Sequence, residues 1–424
     1  MTRRLYTFLL RLLLPLALLR LYWRSLKSPA YRRRVRERLA LGPAGPATPV
    51  WIHAVSVGEV QAAEPLIRRL IERDPPLSVL VTTTTPTGAE RLRERFGDRV
   101  AHRYTPYDLP GILARFLSRT TPELLIVMET EIWPNTLAAC AKRGIPVILA
   151  NARLSERSAR GYRRLARLTR ETLQGFDLIA AQAEPDAGRF VALGADPDRV
   201  QVTGSIKFDL RQPASLVDQA EAMRRTWGGQ RPVWVAASTH EGEDGLILDA
   251  HQHIRTVLPD ALLVLVPRHP ERFDRVAELV TRQGMTLARR SRQEPCTPST
   301  AVFLGDTMGE LPVFLAAADA AFMGGSLVPA GGHNLLEAAA SGVPVAIGPH
   351  HFNFAAITEL LCSEEGAVEI ADTEALARLM TSWLSDATER ARIGENGRRV
   401  VEANRGALDR LMTLIEARLP TTPV

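Results

Sequence analysis

The sequence PVWIHAV at residues 49–55 is a short apolar run between turn-forming residues, and a related run, PVWVAA, occurs at residues 232–237. Each run is followed by a small polar loop, SVGE at 56–59 or STHE at 238–241, and then by a helix-like pattern. A strand, a loop and a helix in this order form the first unit of a doubly wound α/β domain. Because the unit occurs twice, the sequence predicts two such domains.

Further short apolar runs alternate with helix-length amphipathic segments in both halves, which favours parallel sheets. We therefore predict an α/β fold of two Rossmann-like domains that face a central cleft, with a hinge at residues 210–214. The predicted boundaries are an anchor and linker at 1–45, a first domain at 46–210 and a second domain at 211–424. The further strand candidates are residues 78–82, 124–128, 147–149 and 178–181 in the first half, and 261–266, 301–304, 320–323 and 343–347 in the second.

The length of 424 residues agrees with two domains, because a single core rarely grows beyond about 250–300 residues. Apolar residues make up 46% of the chain and charged residues 24%, which excludes a largely disordered or fibrous protein. The three cysteines, Cys140, Cys296 and Cys362, are far apart and form no CxxC pair. This excludes a disulfide scaffold and a cysteine-rich zinc site, and it fits a reducing compartment.

The positive charge of the chain is concentrated at its N-terminus. The first 40 residues contain eleven Lys or Arg and one acid, a net +10, so the remaining residues carry −4 of the overall +6. A nucleic-acid-binding protein would spread its basic residues over its folded body, and this class is therefore disfavoured.

The same N-terminal segment is apolar at residues 5–23 apart from Thr7, Arg11 and Arg20, and basic residues follow it. Its longest uninterrupted run is short for a spanning helix, and no small-residue cleavage site follows. We expect a membrane anchor, monotopic or single-span, whose basic flank and attached body lie on the cytoplasmic side. The alternative is an amphipathic helix docked on the protein's own surface or on a partner.

Common catalytic signatures are absent from the sequence: it contains no GxxxxGK[ST], GxGxxG, HExxH or GxSxG motif. ATP-driven work, standard dinucleotide chemistry, zincin proteolysis and α/β-hydrolase chemistry are therefore disfavoured. The Asp-x-Asp at residues 196–198 lies in a turn-like stretch, and we interpret it as a surface turn rather than a metal site.

Four loops share a pattern in which Ser, Thr or Asn precedes Glu by three residues: 56–59, 238–241, 307–310 and 334–337. Each is explained by a capping box, in which the two side chains satisfy amides at a helix start. Together they also place four carboxylates and several amides at helix N-termini, which are natural anion sites. A glutamate in this position is expected to stay ionised, which suits a general base.

Two Gly-Gly pairs, at residues 324–325 and 331–332, frame a further loop whose amides can approach a phosphate closely. Arg153, Lys207 and Arg268 each follow a strand-like run. Taken alone, each cation is as well explained as a solvated surface residue. Together they indicate an acidic, nucleotide-linked substrate, and with the N-terminal segment they favour glycosyl transfer to an acceptor in the membrane.

Nine stretches, in order as far as about residue 355, resemble those of the 3-deoxy-D-manno-octulosonic acid (Kdo) transferases of lipopolysaccharide assembly. The resemblance implies the GT-B fold and inverting transfer of Kdo from CMP-Kdo to a lipid A precursor, lipid IVA. It implies no metal and no cofactor, a place at the cytoplasmic face of the bacterial inner membrane, and no nucleic-acid partner. The stretches are WIHAVSVGE, VTTTTPTGAERL, METEIWPN, NARLSERS, STHEGED, VPRHPER, GDTMGEL, GGSLVPAGGHN and IGPHHFNF.

The resemblance also implies roles for individual residues. The first domain would hold the acceptor, with Glu59 as the general base that takes the proton from the acceptor hydroxyl. The second would hold CMP-Kdo, with Glu337 on the ribose hydroxyls and Asn334 beside the phosphate. The candidates for donor binding are Arg268, His269, Thr307, Met308, Gly309, Glu310, Gly332, Asn334, Glu337 and Lys207. The other candidates in the cleft are Ser56, Gly58, Glu131, Arg153 and Ser238.

The sequence departs from the family pattern in GGHNLLEAA, where Leu335 and Ala338 replace common prolines, and this affects loop rigidity rather than charge. Two alternatives stay open. One is a GT-B enzyme that uses a UDP-sugar and a lipid acceptor, because such enzymes share the glycine-rich loop and the ribose-binding glutamate. The other is a catalytically silent, membrane-attached scaffold.

Overall fold

The structure, a computed structural model, describes residues 1–32, 34–42, 47–210 and 213–419. The chain forms two compact units, one of Met1–Asp209 with Arg405–Val424 and the other of Leu210–Asn404. Parts of two predicted connections, residues 43–46 of the linker and 211–212 of the hinge, lie outside the described residues.

The N-terminal unit is built on a parallel sheet of seven strands: β1 (Val50–His53), β2 (Val79–Thr83), β3 (Ala101–Tyr104), β4 (Leu124–Met128), β5 (Val147–Ala152), β6 (Leu178–Ala181) and β7 (Val200–Val202). The strand order is β3-β2-β1-β4-β5-β6-β7, and every neighbouring pair is parallel. The order reverses its direction between β1 and β4, as in a doubly wound fold.

Among the described residues, nine α-helices precede or connect these strands: α1 (Arg3–Lys27), α2 (Val35–Arg38), α3 (Val57–Ile71), α4 (Pro86–Phe96), α5 (Pro110–Thr120), α6 (Pro134–Ala141), α7 (Glu156–Arg163), α8 (Ala166–Leu173) and α9 (Glu184–Ala192). Val50 and Ile52 of β1 pack in one core cluster with α3, whereas Trp51 packs in another with α5 and α6. Both faces of the strand are therefore buried, which explains its uninterrupted apolar run.

The second unit repeats this design with β8 (Val233–Thr239), β9 (Leu262–Pro267), β10 (Leu287–Arg289), β11 (Val302–Leu304), β12 (Ala320–Met323), β13 (Val345–Ile347) and β14 (Ala367–Glu369). The strands are all parallel, in the order β10-β11-β9-β8-β12-β13-β14. The helices are α10 (Leu216–Thr226), α11 (Asp244–Val257), α12 (Phe273–Arg282), α13 (Leu311–Ala316), α14 (Leu336–Ala340), α15 (Ala355–Ser363), α16 (Thr373–Ser385) and α17 (Ala387–Ala403).

The chain then returns to the N-terminal unit as α18 (Ala407–Glu416). This corrects the second domain predicted at 211–424, because α18 belongs to the first unit. Leu411 and Ile415 of α18 are fully buried in the cluster that contains Leu66 of α3. The carboxylate of Asp209 also accepts bonds from the backbone N–H groups of Gly406 and Leu408, both at 2.6 Å. A helix with such an apolar face is stabilised where it buries that face.

The ten buried strands were predicted, but the four strands at the sheet edges, β3, β7, β10 and β14, were not. Every residue of the ten predicted strands is buried, whereas each edge strand contains partly or fully exposed positions. An edge strand packs on fewer neighbours and needs no continuous apolar run, so its sequence lacks the signal that we used.

The apolar N-terminal segment is a single helix. Among the described residues, α1 is the helix long and apolar enough to cross a membrane by length and composition, over Arg3–Leu26. Part of the basic flank that we expected at the membrane instead contacts the protein. Arg38 is buried, lies over the ring of Tyr104 and donates to the Thr84 carbonyl at 2.8 Å. Arg34 donates to Glu37 at 2.6 Å.

Candidate active site

The loops that follow β1, β4, β5 and β7 lie at the carboxyl end of the N-terminal sheet, beside the reversal between β1 and β4. Ligands of doubly wound sheets bind at such a reversal. We call these loops, residues 54–59, 129–133, 153–155 and 203–207, the first edge.

Glu59 lies in the first turn of α3, directly after the β1 loop. Ser56 is the N-cap of this helix, and its Oγ accepts a bond from the Glu59 backbone N–H at 3.3 Å. The Glu59 carboxylate accepts bonds from the Val55 backbone N–H at 2.7 Å and from the Ser56 hydroxyl at 3.2 Å. Gly58, between the two capping residues, is exposed. The first capping motif is thus present, with Val55 as the backbone partner of the glutamate.

Burial raises the pKa of Glu59 to about 7, and the nearby carboxylates of Glu131 and Glu129 also raise it. The hydrogen bonds from Val55 and Ser56 lower this pKa, but less than burial raises it. Our expectation of a glutamate kept ionised by its helix start was therefore wrong, because loss of solvation outweighs the capping bonds. A carboxyl group with a pKa near neutrality is well matched to accept a proton.

Glu129 is the first residue after β4, and sequence reasoning missed it. Its buried carboxylate accepts bonds from Lys207 Nζ at 2.9 Å and contacts Arg153 Nε at 3.3 Å. Lys207, which we grouped with the donor-binding residues, is therefore held by a carboxylate in the N-terminal unit. Its position directly after a buried strand, at the reversal of the sheet, is a signal that could have identified Glu129.

Glu131 follows in the same loop. Its carboxylate accepts a bond from Trp133 Nε1 at 2.7 Å, and burial raises its pKa. Asn151 in β5 accepts a bond from the Ile206 N–H at 3.2 Å and so holds the segment that carries Lys207. The structure thus brings Ser56, Gly58, Glu59, Glu131, Arg153 and Lys207 to the first edge.

In the second unit the strand order reverses between β8 and β12. We call the loops after β8, β9, β11 and β12, residues 240–243, 268–272, 305–310 and 324–335, the second edge. Ser238 is buried near the end of β8, with a φ of 58°, where the pairing with β9 is irregular.

Glu243 joins the two loops at this reversal. It is fully buried, and its Oε1 accepts bonds from the backbone N–H groups of Ser326 and Leu327 at 3.1 and 3.0 Å. Its Oε2 accepts bonds from the N–H groups of His240 and Gly325 at 3.1 and 2.7 Å. Burial raises the pKa of Glu243, and these four bonds lower it. Sequence reasoning missed Glu243, since nothing in the charged stretch EGED indicates which acid is buried.

The second edge carries the imidazoles of three histidines and, beside them, the guanidinium of Arg268. His240 Nε2 and His333 Nε2 are 2.8 Å apart, and the ring of His269 packs edge-on against His240. Burial lowers the pKa of His333 to about 3, so this imidazole is neutral at physiological pH. In the described parts of the chain, no group of three or more His, Cys, Asp or Glu side chains is arranged to hold a metal ion.

Arg268 is half-buried beside these histidines, and its charge contributes to lowering the pKa of His240 and His333. It has no acidic partner among the residues that the structure describes. Arg272, four residues later, is buried against the carboxylate of Asp244. Arg268 therefore adds an uncompensated positive charge to the second edge, which favours an anionic ligand.

Thr307 and Glu310 contact each other: the threonine hydroxyl donates to the Glu310 carboxylate at 2.5 Å. Glu310 also forms a bidentate ion pair with Arg290, with bonds of 2.6 to 3.2 Å that lower its pKa. Between them, Met308 is 62% exposed and Gly309 has a φ of 88°. The polar bonds of this loop thus run to the segment after β10.

The glycine-rich loop is held by its own backbone. The Gly332 N–H donates to the Gly325 carbonyl at 2.8 Å, and both glycines have positive φ. Asn334 Oδ1 accepts a bond from the Leu336 N–H at 3.2 Å, and Glu337 lies in the first turn of α14. A side chain at Gly324 would meet the Ala237 carbonyl at 2.8 Å, so only glycine allows this approach of the loop to β8.

None of the other three motifs forms the expected capping box. The N-cap of α14 is Leu335, without a side-chain cap bond, although Glu337 lies in the first turn of this helix. Helix α11 begins at Asp244 rather than directly after Ser238, and Glu241 is exposed and paired with Arg275 at 2.8 Å. Helix α13 begins at Leu311, so Glu310 precedes it instead of lying in its first turn. In the loops before α11 and α13 the helix starts later than the motif predicted, and each glutamate pairs with an arginine instead.

Two parallel seven-stranded sheets, each with polar loops at its reversal, define the fold class as GT-B. The solved structure of a putative UDP-N-acetylglucosamine 2-epimerase from Listeria monocytogenes shares this fold. It is 15% identical, with a TM-score of 0.56 over 89% of this chain and 98% of that one. Residues 286–400 match the family model for glycosyl transferases group 1, and the chain is a glycosyltransferase.

The particular family follows from the N-terminal unit. Residues 33–210 match the model described as 3-deoxy-D-manno-octulosonic-acid transferase (kdotransferase). The 3-deoxy-D-manno-octulosonic acid transferase of Haemophilus influenzae is 44% identical over 99% of both chains. That of Bordetella pertussis is 39% identical over 98% of this chain and 99% of its own. The chain therefore belongs to the Kdo transferase family, and the resemblance drawn from the sequence is confirmed.

Proposed function

We propose that this chain transfers Kdo from CMP-Kdo to a lipid A precursor, lipid IVA, with inversion at the anomeric carbon and with Glu59 as the general base. The observation that carries the proposal is the carboxyl group of Glu59, which lies at the reversal of the first sheet with its pKa raised by burial to about 7. The resemblance and the names of the relatives point to Kdo as the sugar.

In this reaction the acceptor hydroxyl oxygen forms a bond to the anomeric carbon of Kdo while the bond from that carbon to the phosphate oxygen of CMP breaks. The leaving CMP takes the electron pair, and Glu59 takes the hydroxyl proton. Attack from the face opposite CMP inverts the anomeric carbon. Because the leaving group is already stable as a phosphate anion, the base supplies the main chemical assistance.

We assign donor binding to the second edge. CMP-Kdo carries a phosphodiester and a sugar carboxylate, and both need cationic or amide partners. Arg268 adds an uncompensated charge there, and the loop held by Gly332 and Asn334 adds backbone amides. We further propose that transfer needs no metal ion or cofactor, which a chelator that leaves the rate unchanged would support.

We place the enzyme at the cytoplasmic face of the bacterial inner membrane, with membrane lipid and lipid A precursor as its partners and without a nucleic-acid partner. Helix α1 supports this placement through its length and apolar composition. The excess of basic residues around it fits an anionic lipid surface.

A mass-spectrometric transfer assay in detergent tests the proposal, with CMP-Kdo generated in situ and lipid IVA as the acceptor. We expect the wild-type protein to add Kdo and Glu59→Gln to lose about 10²–10⁴-fold in rate, the usual contribution of a positioned base. Glu64→Gln is the matched control, because Glu64 lies on the same helix but pairs with Arg95 at 3.3 Å. This control should keep the wild-type rate.

Three outcomes would contradict the proposal at different points. Without product from wild type and a competent acceptor, the donor assignment fails, and UDP-sugars become the alternative to test. If no sugar donor gives product, the chain behaves as a silent scaffold. If Glu59→Gln keeps the wild-type rate, Glu59 is only a helix cap and another residue is the base.

A further inference from the structure

Helix α1 has one face against the N-terminal unit. The Tyr6 hydroxyl donates to Asp108 Oδ2 at 3.0 Å, and the Thr7 hydroxyl donates to Asn135 Oδ1 at 3.0 Å. Leu10 and Leu14, one and two turns further, pack against a core cluster of the sheet. The contact residues recur every three or four positions, so they form one stripe of the helix.

Tyr6 binds a buried residue of the N-terminal unit rather than a group on its surface. Asp108 is buried, and its carboxylate also accepts the backbone N–H groups of Asn135 and Thr136 at 3.0 and 2.7 Å. It therefore caps α6 at the same time as it binds the helix. Separating α1 from the unit would remove a bond from a buried carboxylate, which is costly.

The opposite face of α1 is apolar and exposed. Leu5, Leu12, Leu16, Leu19 and Trp23 recur at spacings of three, four or seven and are between 48% and 71% exposed. An apolar stripe of this length on a folded protein marks a surface that another apolar phase covers.

Arginines flank this stripe on both sides. On a helical projection, Arg4 and Arg11 lie along one flank, and Arg20 and Arg24 lie along the other. Apolar residues between rows of arginine are typical of a helix that lies in the interface of a bilayer containing anionic lipid.

Both ends of α1 are tied to the same folded unit. The first turns bind Asp108 and Asn135, while the last turn leads into α2, where Arg38 is buried against the Thr84 carbonyl. The 25 residues of the helix span about 37 Å, more than the bilayer core. A spanning helix would put its first turns on the far side of the membrane, away from Asp108. The contacts at the two ends therefore exclude a span in this arrangement.

We propose that α1 lies in the plane of the membrane interface, with its stripe of leucines and Trp23 in the lipid and its N-terminus on the same side as the folded body. This rests on the proposed membrane placement and specifies its geometry. Thr7 binds Asn135, four residues after Glu131, so the start of α1 lies against the helix that follows the loop carrying this acid. A lipid-borne acceptor would then approach the first edge from within the interface.

Labelling with a membrane-impermeant maleimide in inverted inner-membrane vesicles tests this geometry, because their outer surface is the cytoplasmic face. The full-length chain would carry Cys296→Ser and Cys362→Ser, since these two cysteines are partly exposed and Cys140 is buried. Thr2→Cys reports the N-terminus, and Thr388→Cys, at an exposed position of α17, reports the body.

We expect Thr2→Cys to be labelled at the rate of Thr388→Cys before any detergent is added. Loss of Thr2→Cys labelling until detergent opens the vesicles would overturn the proposal, because the N-terminus would then be on the far side. If washing releases the protein from the vesicles, membrane association itself is wrong, whereas the transfer activity, measured in detergent, is unaffected by that result.

The depth of the stripe provides a second measurement that does not depend on Thr2→Cys. A fluorophore on Leu5→Cys, Leu12→Cys or Leu19→Cys is quenched by lipids that carry a nitroxide at a known depth. An in-plane helix predicts one shallow depth for all three positions. A depth greatest at Leu12 and smaller at both ends would overturn the proposal, because only a spanning helix places its centre deepest.

Discussion

At the first edge, Glu59, Glu129 and Glu131 lie in neighbouring loops, whereas the second edge carries Arg268 and three histidines. Both edges occur at the reversal of a seven-stranded parallel sheet. Each also contains a buried glutamate with several polar partners. Glu129 balances Arg153 and Lys207, and Glu243 accepts four backbone N–H groups.

The difference lies in which charges are left uncompensated. At the first edge Arg153 and Lys207 are both paired with Glu129. Burial raises the pKa of Glu59 to about 7, so this carboxyl group can gain or lose a proton near neutral pH. At the second edge the buried Glu243 accepts bonds from backbone amides. Arg268 has no acidic partner in the described parts of the chain. Under the proposed function, the same fold presents a proton acceptor in one unit and an anion site in the other, because loop residues rather than the sheet decide the chemistry.

Glu243→Gln should have the largest effect on stability. The amide nitrogen that replaces one oxygen faces two N–H donors, and each unsatisfied buried group costs about 1–3 kcal/mol. We expect a clear drop in the denaturant midpoint of the second unit, whereas Glu241→Gln, at an exposed acid of the same loop, should leave it unchanged. Equal midpoints for Glu243→Gln and wild type would mean that the second edge does not depend on its buried acid.

Arg268→Gln tests the proposed anion site on the second edge. A hydrogen bond to a charged group contributes about 1.5–3 kcal/mol, so we expect the KM for CMP-Kdo to rise about 10–100-fold. Arg275→Gln is the control, because Arg275 is an exposed arginine paired with Glu241 at 2.8 Å. A rise in KM for both variants, or for neither, would remove the distinction between the two edges.

The pH dependence of kcat/KM should report the first edge. Glu59 must lose its proton to act as a base, and burial raises its pKa to about 7. The rate should therefore fall about tenfold for each pH unit below this value. His333 stays neutral over this range because burial lowers its pKa to about 3. If the residual activity of Glu59→Gln falls at low pH in the same way as that of the wild type, a group other than Glu59 causes the fall.

Tyr6→Phe should have the smallest effect. It removes one hydrogen bond to Asp108, worth about 0.5–1.5 kcal/mol, and should lower the stability of the N-terminal unit by that amount. Tyr22→Phe makes the same change at an exposed position of α1 and should be neutral. A neutral Tyr6→Phe would show that the helix is not held at this point.

The positions of several candidate residues in the fold could be predicted from the sequence, because parallel strands end at one edge of a sheet. The loops after buried runs contain Glu59, Glu131, Arg153 and Arg268, and the structure places each of them at such an end. Glu243 was not readable, because Glu241 and Asp244 beside it have the same charge and only packing determines which acid is buried. The pKa of Glu59 was misjudged for the same reason, since burial is a property of the folded unit.

The sequence by itself determined the two α/β halves, the ten strands that are buried on both faces and the family. Continuous apolar runs and the order of motifs are local features, so they can be recognised in the sequence alone. Only the tertiary structure decided the edge strands, the return of α18 to the first unit and the partners of Lys207 and Glu243. These depend on contacts between residues far apart in the chain, for which the sequence carries no local signal.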